Sequence, residues 1–488
     1  MNIFNEIDWY QLIEIVYSVL LFFVCLRIVY DTRSTGKAFA YMLLAIFVPV
    51  AGIIFYFTFG VNFRKRKLYS KKLVTDSVRL KELSEKIIIP AEELLALNPE
   101  VFNHQEGLIN LLLYDNFSPL TTGNSVKLLI NGEQKFPEVM EAINTAQNHI
   151  HLEYYIYEDD EIGNRIKDLL IKKSKQGVKI RLIYDGFGSR AIRKKIVGEL
   201  RNAGIEAFPF NRIRLLFFAN RINYRNHRKI IIIDGKTGFT GGINISDEYI
   251  NTDSEKKLYW RDTHLRIDGP GILMLQHIFL CDWNFCSGQK IGFDKVFFDL
   301  QPVDNENVCL QIASSGPDSP NSTIMLSMLK AITLARKEIL ITTPYFIPAG
   351  SIMDGIKMAA LSGVKVNLLV PEKTDIIIVN IAAHSYFSEL LKSGVRIFLY
   401  KKGFVHAKSM VIDRMFSLIG TANMNHRSFN LDFEVNAHVY DAAFSSNLAN
   451  VFYKDLDDST EINYSSWRLR PVRVKLLERI ARLFSPVM

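Results

Sequence analysis

Apolar and polar positions follow two different patterns along the chain. From about residue 107 onward, short apolar runs rich in β-branched residues alternate with longer segments in which apolar residues recur at helical spacing. This alternation predicts strands and helices in turn, which is typical of an α/β sandwich with a largely parallel or mixed sheet. Near the N-terminus, by contrast, two long apolar runs contain almost no charge. The pattern therefore predicts a globular α/β body preceded by a membrane segment.

Residues 1–67 are predicted to form a membrane hairpin that stays on the protein. No charged residue occurs from Ala38 to Val61, and this run exceeds the ~20 residues that a helix needs to cross the hydrocarbon core. An earlier apolar run, residues 9–30, is also long enough to span, or it can lie at the interface. A cleaved signal peptide fits less well, because the N-terminus carries Glu6 and Asp8 but no early Lys or Arg.

The basic residues that flank the two runs predict the orientation of the hairpin. Six Lys or Arg side chains follow the second run between residues 64 and 72, whereas Arg27, Arg33 and Lys37 lie at the turn. Since the more basic flank tends to stay in the cytoplasm, the N-terminus and the globular body are both expected on the cytoplasmic side.

The globular body repeats itself once. The pattern A-I-x-x-A-x-x-x-I occurs at residues 142–150 and again at 331–339, and each copy predicts a helix end running into a strand. In each copy a helix ending in Gly-Val-Lys and another strand follow. The period is far longer than the roughly 20–50 residues of solenoid repeats, so it indicates two whole domains. We predict a hairpin at 1–67, a linker at 68–106, a first half at 107–300, a second half at 301–463 and a basic amphipathic tail at 464–488.

One polar motif occurs at the same place in each repeat, with the form H-x-K-x4-D-x6-G-x-x-N. On a strand, side chains at i and i+2 share a face, so each imidazole is expected beside an ammonium group. The Asn beyond the glycine is expected to return to the same patch. Cations, amides and imidazoles suit a phosphate better than a metal ion. The motif residues are His227, Lys229, Asp234, Gly241 and Asn244, then His406, Lys408, Asp413, Gly420 and Asn423.

A lone His on a strand is usually a satisfied core residue, but the same polar set recurs here at matched spacing. Two half-sites that meet on a pseudo-twofold axis would supply a nucleophile and a general acid.

The doubled motif resembles that of the phospholipase D superfamily, and the resemblance covers both repeats. Shorter segments resemble bacterial cardiolipin synthases. They are P-x-x-G at 49–52, F-G-V-N at 59–62, W-R-D at 260–262, T-P-Y-F-I-P at 343–348 and S-P at 485–486.

The resemblance implies a duplicated phospholipase D-type sandwich and reversible phosphatidyl transfer between two phosphatidylglycerol molecules through a phosphohistidine. It implies that His227 is the nucleophile and His406 the acid and base, although the near-symmetry of the halves leaves both assignments open. The phosphoryl oxygens would be bound by Lys229, Lys408, Asn244 and Asn423. The motif residues Asp234 and Asp413 would be structural rather than reactive.

The resemblance also implies an acidic partner that orients each imidazole. Glu434, downstream of His406, fits that position, and Asp262, downstream of His227, is the candidate in the first half. The alternative for both is a surface carboxylate.

Composition and charge limit the classes of molecule that the chain is expected to bind. The net charge of +8 suits nucleic acid or anionic lipid. The hairpin favours lipid over nucleic acid, and the resemblance implies phosphatidylglycerol and anionic membrane lipids as partners and the bacterial cell membrane as the location. No nucleic acid, nucleotide, metal or other cofactor is expected, because no zinc pattern or nucleotide loop is visible. The four cysteines are expected to be buried thiols.

Three functions compete on these residues. The favoured one is a cardiolipin synthase. A phospholipase D-type hydrolase, or a phosphatidyltransferase using another alcohol acceptor, shares the same motifs. A nuclease or a catalytically silent binding protein is disfavoured, because the chain carries both a membrane hairpin and an intact His and Lys in each half.

Overall fold

The computed structural model describes residues 9–32, 35–57, 102, 104–210, 224–251, 258–292, 295–297, 302–485 and 488. The described residues form an N-terminal helical unit and a larger body.

The N-terminal unit contains the helices α1 (Trp9–Asp31), α2 (Thr35–Phe47) and α3 (Ala51–Phe55). Within the described residues, α1 is the one helix that is long and apolar enough to cross a membrane. Its 23 residues rise about 35 Å, against about 30 Å of hydrocarbon. Val24 and Ile28 on α1 pack against Ala38 and Ala45 on α2, while most of its other apolar side chains are exposed.

The second apolar run is not the single helix that its composition predicts. It breaks between α2 and α3, where Val50 adopts a φ of 63° and Pro49 lacks a backbone N–H. The chain then turns closely past the end of α2, since a Cβ on Gly52 would lie 2.1 Å from the Leu44 carbonyl oxygen. The continuous helix is therefore in the first run, and residues 58–61 of the predicted second span lie outside the described residues.

The body is built on one large mixed sheet. Its strands are β1 (Thr121–Ile130), β2 (His149–Tyr154), β3 (Lys179–Asp185), β4 (Glu206–Phe210), β5 (Arg225–Asn226), β6 (Lys229–Ile233), β7 (Thr237–Gly241), β8 (Tyr259–Arg261), β9 (Thr263–Asp268), β10 (Val308–Ser315), β11 (Glu338–Thr342), β12 (Lys365–Pro371), β13 (Arg396–Tyr400), β14 (Gly403–Val405), β15 (Ser409–Ile412), β16 (Phe416–Gly420), β17 (Asp432–Tyr440) and β18 (Ser459–Glu461). Strands β8 and β14 form a separate parallel pair.

The helices of the body cover both faces of this sheet. They are α4 (Glu106–Asn116), α5 (Asn131–Thr145), α6 (Glu161–Lys175), α7 (Lys195–Asn202), α8 (Ile272–Ser287), α9 (Thr323–Leu334), α10 (Gly350–Leu361), α11 (Ile377–Lys392), α12 (His426–Asn430), α13 (Ala442–Asp457), α14 (Tyr464–Arg468) and α15 (Val472–Arg482).

The strand order repeats between the two halves of the sheet. The first half runs β1-β9-β7-β6-β2-β3-β4, and the second runs β10-β17-β16-β15-β11-β12-β13 with β18 added at its edge. Strands β2, β3 and β4 are parallel, as are β11, β12 and β13, and β1 meets β10 in antiparallel pairing at the centre. A pseudo-twofold relation between the halves follows, which confirms the predicted duplicated α/β fold.

Helix α4 belongs to the first half by its position in the sequence, but it packs in the second half. The chain enters the body through α4, at the start of the predicted first half. Yet Leu108 and Leu112 of α4 lie in one hydrophobic core with Ile324 and Met328 of α9. The first half has its own core beneath β2, β3 and β6. The halves are therefore interlocked at this end of the chain.

Candidate active site

The two copies of the motif lie at matching places, next to β6 and β15. In each copy the apolar run after the Lys is a strand, β6 or β15, and the His stands just before it. His227 and His406 are both largely buried, and Lys229 and Lys408 beside them are almost fully buried. Each ammonium group turns back to its own motif: Lys229 Nζ donates to the His227 carbonyl oxygen at 2.9 Å, and Lys408 Nζ donates to that of His406.

The backbone that leads into each His pairs with a strand from the other half. Strand β5 is parallel to the start of β17, and the His227 N–H donates to the Phe433 carbonyl oxygen at 2.9 Å. In the matching arrangement, β14 is parallel to β8, and the His406 N–H donates to the Arg261 carbonyl oxygen at 2.7 Å. The residue that follows each of these carbonyls is a carboxylate, Glu434 or Asp262.

This pairing exchanges the orienting carboxylates between the halves. His227 Nδ1 lies 3.0 Å from Glu434 Oε2, and His406 Nδ1 lies 2.7 Å from Asp262 Oδ2. Both carboxylates are fully buried, so neither is the surface group that the alternative interpretation supposed. The first half thus provides Asp262 for the second imidazole, and the second half provides Glu434 for the first.

The two halves accommodate their carboxylates differently. Thr421, directly after the motif glycine of the second half, donates its hydroxyl to Glu434 Oε2 at 2.5 Å. The same position in the first half is Gly242, where a Cβ would lie 2.1 Å from Asp262 Oδ1. The shorter Asp approaches the backbone too closely for any side chain at residue 242.

Burial and charge determine the protonation of the imidazoles. Burial lowers the pKa of His227 to about 4, with Glu434 opposing this shift and Lys229 adding to it. Burial, together with Lys408, lowers the pKa of His406 to about 3. Burial alone would raise the pKa of Asp262, but Lys408 and His406 lower it below its ordinary value. Burial would likewise raise the pKa of Glu434, and His227 lowers it.

These directions describe two neutral imidazoles, each held by an ionised carboxylate at neutral pH. With Nδ1–H donating to the carboxylate, the lone pair lies on Nε2. Among the described residues, neither Nε2 has a hydrogen-bond partner. Both atoms are therefore available to a substrate.

The two lysines make the site receptive to an anion. Burial lowers the pKa of Lys229 to about 7, and repulsion from Lys408 contributes. Burial lowers the pKa of Lys408 to about 8. Two buried ammonium groups that repel each other gain from an anion placed between them, and a phosphodiester supplies that charge.

The predicted amide ligands, Asn244 and Asn423, each bury a side-chain oxygen that has no partner within the described residues. Asn244 also donates through Nδ2 to the Tyr249 hydroxyl at 2.7 Å, and that hydroxyl lies 3.5 Å from His406 Nδ1. Tyr249 has no counterpart in the motif pattern, and sequence reasoning did not identify it.

The motif aspartates lie at the far ends of their strands from the imidazoles. Asp234 accepts the backbone N–H groups of residues 147, 148 and 149 at 2.7–2.8 Å, and Asp413 accepts those of residues 336, 337 and 338 at the same distances. Both adopt a left-handed backbone, with φ of 54° and 51°. Each carboxylate therefore holds the start of the neighbouring strand, β2 or β11, which is a structural role.

The arrangement of these groups points to a class of protein. Two buried imidazoles, each beside a carboxylate and followed by a buried lysine, come from two related halves, as in a duplicated protein of the phospholipase D type. Among the residues that the structure describes, no group of three or more His, Cys, Asp or Glu side chains has the arrangement of a metal site.

Comparison with known proteins gives the family. The model described as "Cardiolipin synthase, PLD-like domain" matches residues 139–266 and 328–456. The model described as "Phospholipase_D-nuclease N-terminal" matches residues 18–60.

Curated relatives cover nearly the whole chain. A cardiolipin synthase of Alkalihalophilus pseudofirmus is 39% identical over 98% of this chain and 94% of its own length. The major cardiolipin synthase ClsA of Bacillus subtilis is 39% identical over 94% of this chain and 95% of its own length. The chain therefore belongs to the cardiolipin synthase family of the phospholipase D superfamily.

The family membership confirms the predicted enzyme class, a phosphatidyltransferase with phospholipid substrates, and it agrees with membrane association through the N-terminal apolar helix. Among solved structures, a phosphatidylserine synthase of Haemophilus influenzae aligns with a TM-score of 0.59 and 15% identity. It covers 78% of this chain and 100% of its own, and at this identity the likeness concerns the fold alone.

Proposed function

We propose that the chain joins two phosphatidylglycerol molecules into cardiolipin and releases glycerol, using His227 as nucleophile and His406 as acid and base. The observation that carries this proposal is the matched pair of buried imidazoles, each with Nδ1 on a carboxylate and with no partner on Nε2 among the residues that the structure describes. Such a pair can share a nucleophilic and a proton-transfer role across one phosphorus atom.

In the first step, His227 Nε2 attacks the phosphorus of one phosphatidylglycerol. The P–N bond forms and the P–O bond to the terminal glycerol breaks. His406 gives its Nε2 proton to the departing glycerol oxygen. The products are phosphatidyl-His227, neutral His406 and free glycerol.

In the second step, a terminal hydroxyl of another phosphatidylglycerol gives its proton to His406 and attacks the same phosphorus. The new P–O bond forms while the P–N bond breaks, which regenerates neutral His227. Because one phosphodiester replaces another, the free energy change of the overall reaction is close to zero and the reaction is reversible.

His406 takes up its proton when the substrate binds. In the free site burial and the lysines keep the imidazole neutral. A bound phosphodiester offsets the charge of Lys229 and Lys408, so it raises the pKa of His406 and lets it take up the proton that glycerol needs. Lys229, Lys408, Asn244 and Asn423 would hold the non-bridging oxygens. Asp262 and Glu434 would fix the tautomer and direction of the two rings.

We also propose that the N-terminal unit is a multi-pass anchor with the body on the cytoplasmic side. Helix α1 is long enough for one crossing. The second apolar run would make the other crossing as a broken helix, which membranes tolerate where neighbouring groups satisfy the backbone. The basic residues after position 63 support the orientation.

The reaction is tested with purified full-length protein, phosphatidylglycerol as sole lipid and a chelator. Cardiolipin and glycerol in equal amounts are expected. Phosphatidic acid as the main product would instead identify a hydrolase. Absence of both products would contradict transfer between two phosphatidylglycerols, and adding other alcohols would then reveal a different acceptor.

A further inference from the structure

The C-terminal helix α15 turns a polar side toward the body and an apolar side outward, the reverse of the usual arrangement. A helix on a soluble body normally turns its large apolar side chains inward and its polar ones outward. In α15 the fully buried positions are Glu478 and Ala481, one charged and one small. The large aliphatic side chains point away: Leu476 is 57% exposed, whereas Glu478 is 4% exposed.

The inward face is nevertheless firmly attached. Glu478 accepts two hydrogen bonds from the Arg470 guanidinium. Arg482 donates to Glu389 of α11 at 3.1 Å and lies over the Tyr386 ring. Ser485, just beyond the helix, is 3.0 Å from the Tyr386 hydroxyl. The helix is therefore held against α11 by polar contacts, and its apolar side is left uncovered by the described part of the chain.

The uncovered side combines two kinds of group. The apolar side chains left most exposed are Leu469, Val472, Leu476, Leu477, Ile480, Leu483 and Phe484. Between them lie the exposed cations Arg468, Arg473 and Arg479. The one acidic residue of the segment 464–488 is the buried Glu478, so no negative side chain interrupts this surface. We call it the tail surface.

We propose that the tail surface docks on an anionic lipid bilayer, with its aliphatic side chains in the acyl boundary and its arginines at the phosphates. A large exposed apolar patch marks an interaction site rather than ordinary surface. Aliphatic side chains beside cations, without acids, match the headgroup and acyl boundary of an anionic membrane. Because α15 is fixed to α11, docking also fixes the orientation of the body at the membrane.

Packing on the body and docking on a membrane are then compatible for this basic amphipathic tail. The polar side of the helix serves the first and the apolar side serves the second.

The test places an environment-sensitive fluorophore on single cysteines of the full-length protein, in a background with the four native cysteines changed to alanine. The probe sites are Leu476→Cys and Ile480→Cys. The matched control is Leu361→Cys on α10, an apolar side chain that is 73% exposed. Each protein is reconstituted in phosphatidylglycerol vesicles with brominated or ordinary acyl chains.

Probes at 476 and 480 should emit at shorter wavelength than the probe at 361, and brominated chains should quench them roughly threefold more strongly. Arg473→Gln with Arg479→Gln should weaken docking on the order of fivefold per charge. Equal emission and quenching at all three sites would overturn the proposal.

A second copy of the chain is the competing occupant of the tail surface. In that case the shift to shorter wavelength at residue 476 would appear in detergent as well, and would grow with protein concentration. That outcome would also overturn the proposal. None of these readouts requires catalysis, so they are separate from the test of the reaction.

Discussion

Asp262 Oδ2 lies 2.7 Å from His406 Nδ1, although the two residues are 144 positions apart and belong to different halves of the body. In the corresponding contact of the other half-site, Glu434 Oε2 lies 3.0 Å from His227 Nδ1. Neither half contains a complete set of groups around its own imidazole. The site is therefore a property of the joined halves, and each half depends on the other for the direction of its ring.

Replacing either carboxylate should disturb the imidazole of the opposite half. Asp262→Asn removes the charge that holds His406 Nδ1–H, so the tautomer of His406 should become mixed while that of His227 stays unchanged. Imidazole nitrogen NMR reports this directly. The rate of transfer should fall roughly 10²- to 10⁴-fold. Glu434→Gln serves as the matched control, with the effect on His227. An effect of Asp262→Asn on His227 alone would contradict the exchange.

As pH rises, kcat/KM should begin to fall at an unusually low pH. The phosphate needs charged lysines, and burial lowers the pKa of Lys229 to about 7 and that of Lys408 to about 8. Activity should fall as pH rises through this range, whereas ordinary lysines would stay charged to about pH 10. On the acid side, the nucleophile His227 loses its lone pair only near its pKa of about 4. A profile that stays flat to pH 9.5 would show that these lysines do not govern binding.

The motif aspartates should matter for stability rather than for chemistry. Asp234→Ala leaves three backbone N–H groups at the start of β2 without their acceptor and places alanine at a φ of 54°. Partial exposure limits the loss to roughly 1–3 kcal/mol of unfolding free energy. Thermal unfolding measures it. Asp234→Asn, which keeps an acceptor and tolerates this backbone, should lose less. A normal melting temperature with lost activity would instead give Asp234 a catalytic role.

Much of this site can be predicted from the chain, because motif spacing and strand periodicity are local. The i, i+2 spacing on a strand predicts that each His and its Lys point the same way, but the structure places His227 before β6 and both His406 and Lys408 between β14 and β15. The exchange of Asp262 and Glu434 does not, since nothing local tells which strand of the other half β5 and β14 will join.

The parts of the fold that could not be predicted have the same origin. Helix α4 lies at the start of the predicted first half in sequence but packs in the core of the second, because the central pairing of β1 with β10 brings the two halves together there. The break at Pro49 was missed because membrane helices tolerate proline, so composition alone does not locate a turn.

The proposed topology predicts opposite labelling of two positions. Gly36 at the start of α2 has open space where a Cβ would be, so Gly36→Cys should be tolerated. A membrane-impermeant maleimide should label it in intact cells, because the turn faces outward when the body is cytoplasmic. Leu361→Cys on the body should react only after lysis. Both cysteines are placed in a variant whose four native cysteines are changed to alanine, and mass spectrometry measures the labelling at each site. The reverse pattern would place the body outside, and labelling of both positions only after lysis would contradict the hairpin.

The central claim is that His227 carries the phosphatidyl group while His406 moves protons, and one trapping experiment tests it. A short-chain phosphatidyl ester with a p-nitrophenol leaving group needs no general acid. His406→Asn should therefore still be phosphatidylated by it but transfer the group onward very slowly. Peptide mass spectrometry of the quenched protein should find the adduct on His227, and His227→Asn should give none. An adduct on His406 in the His227→Asn variant, or no adduct in either variant, would contradict the account.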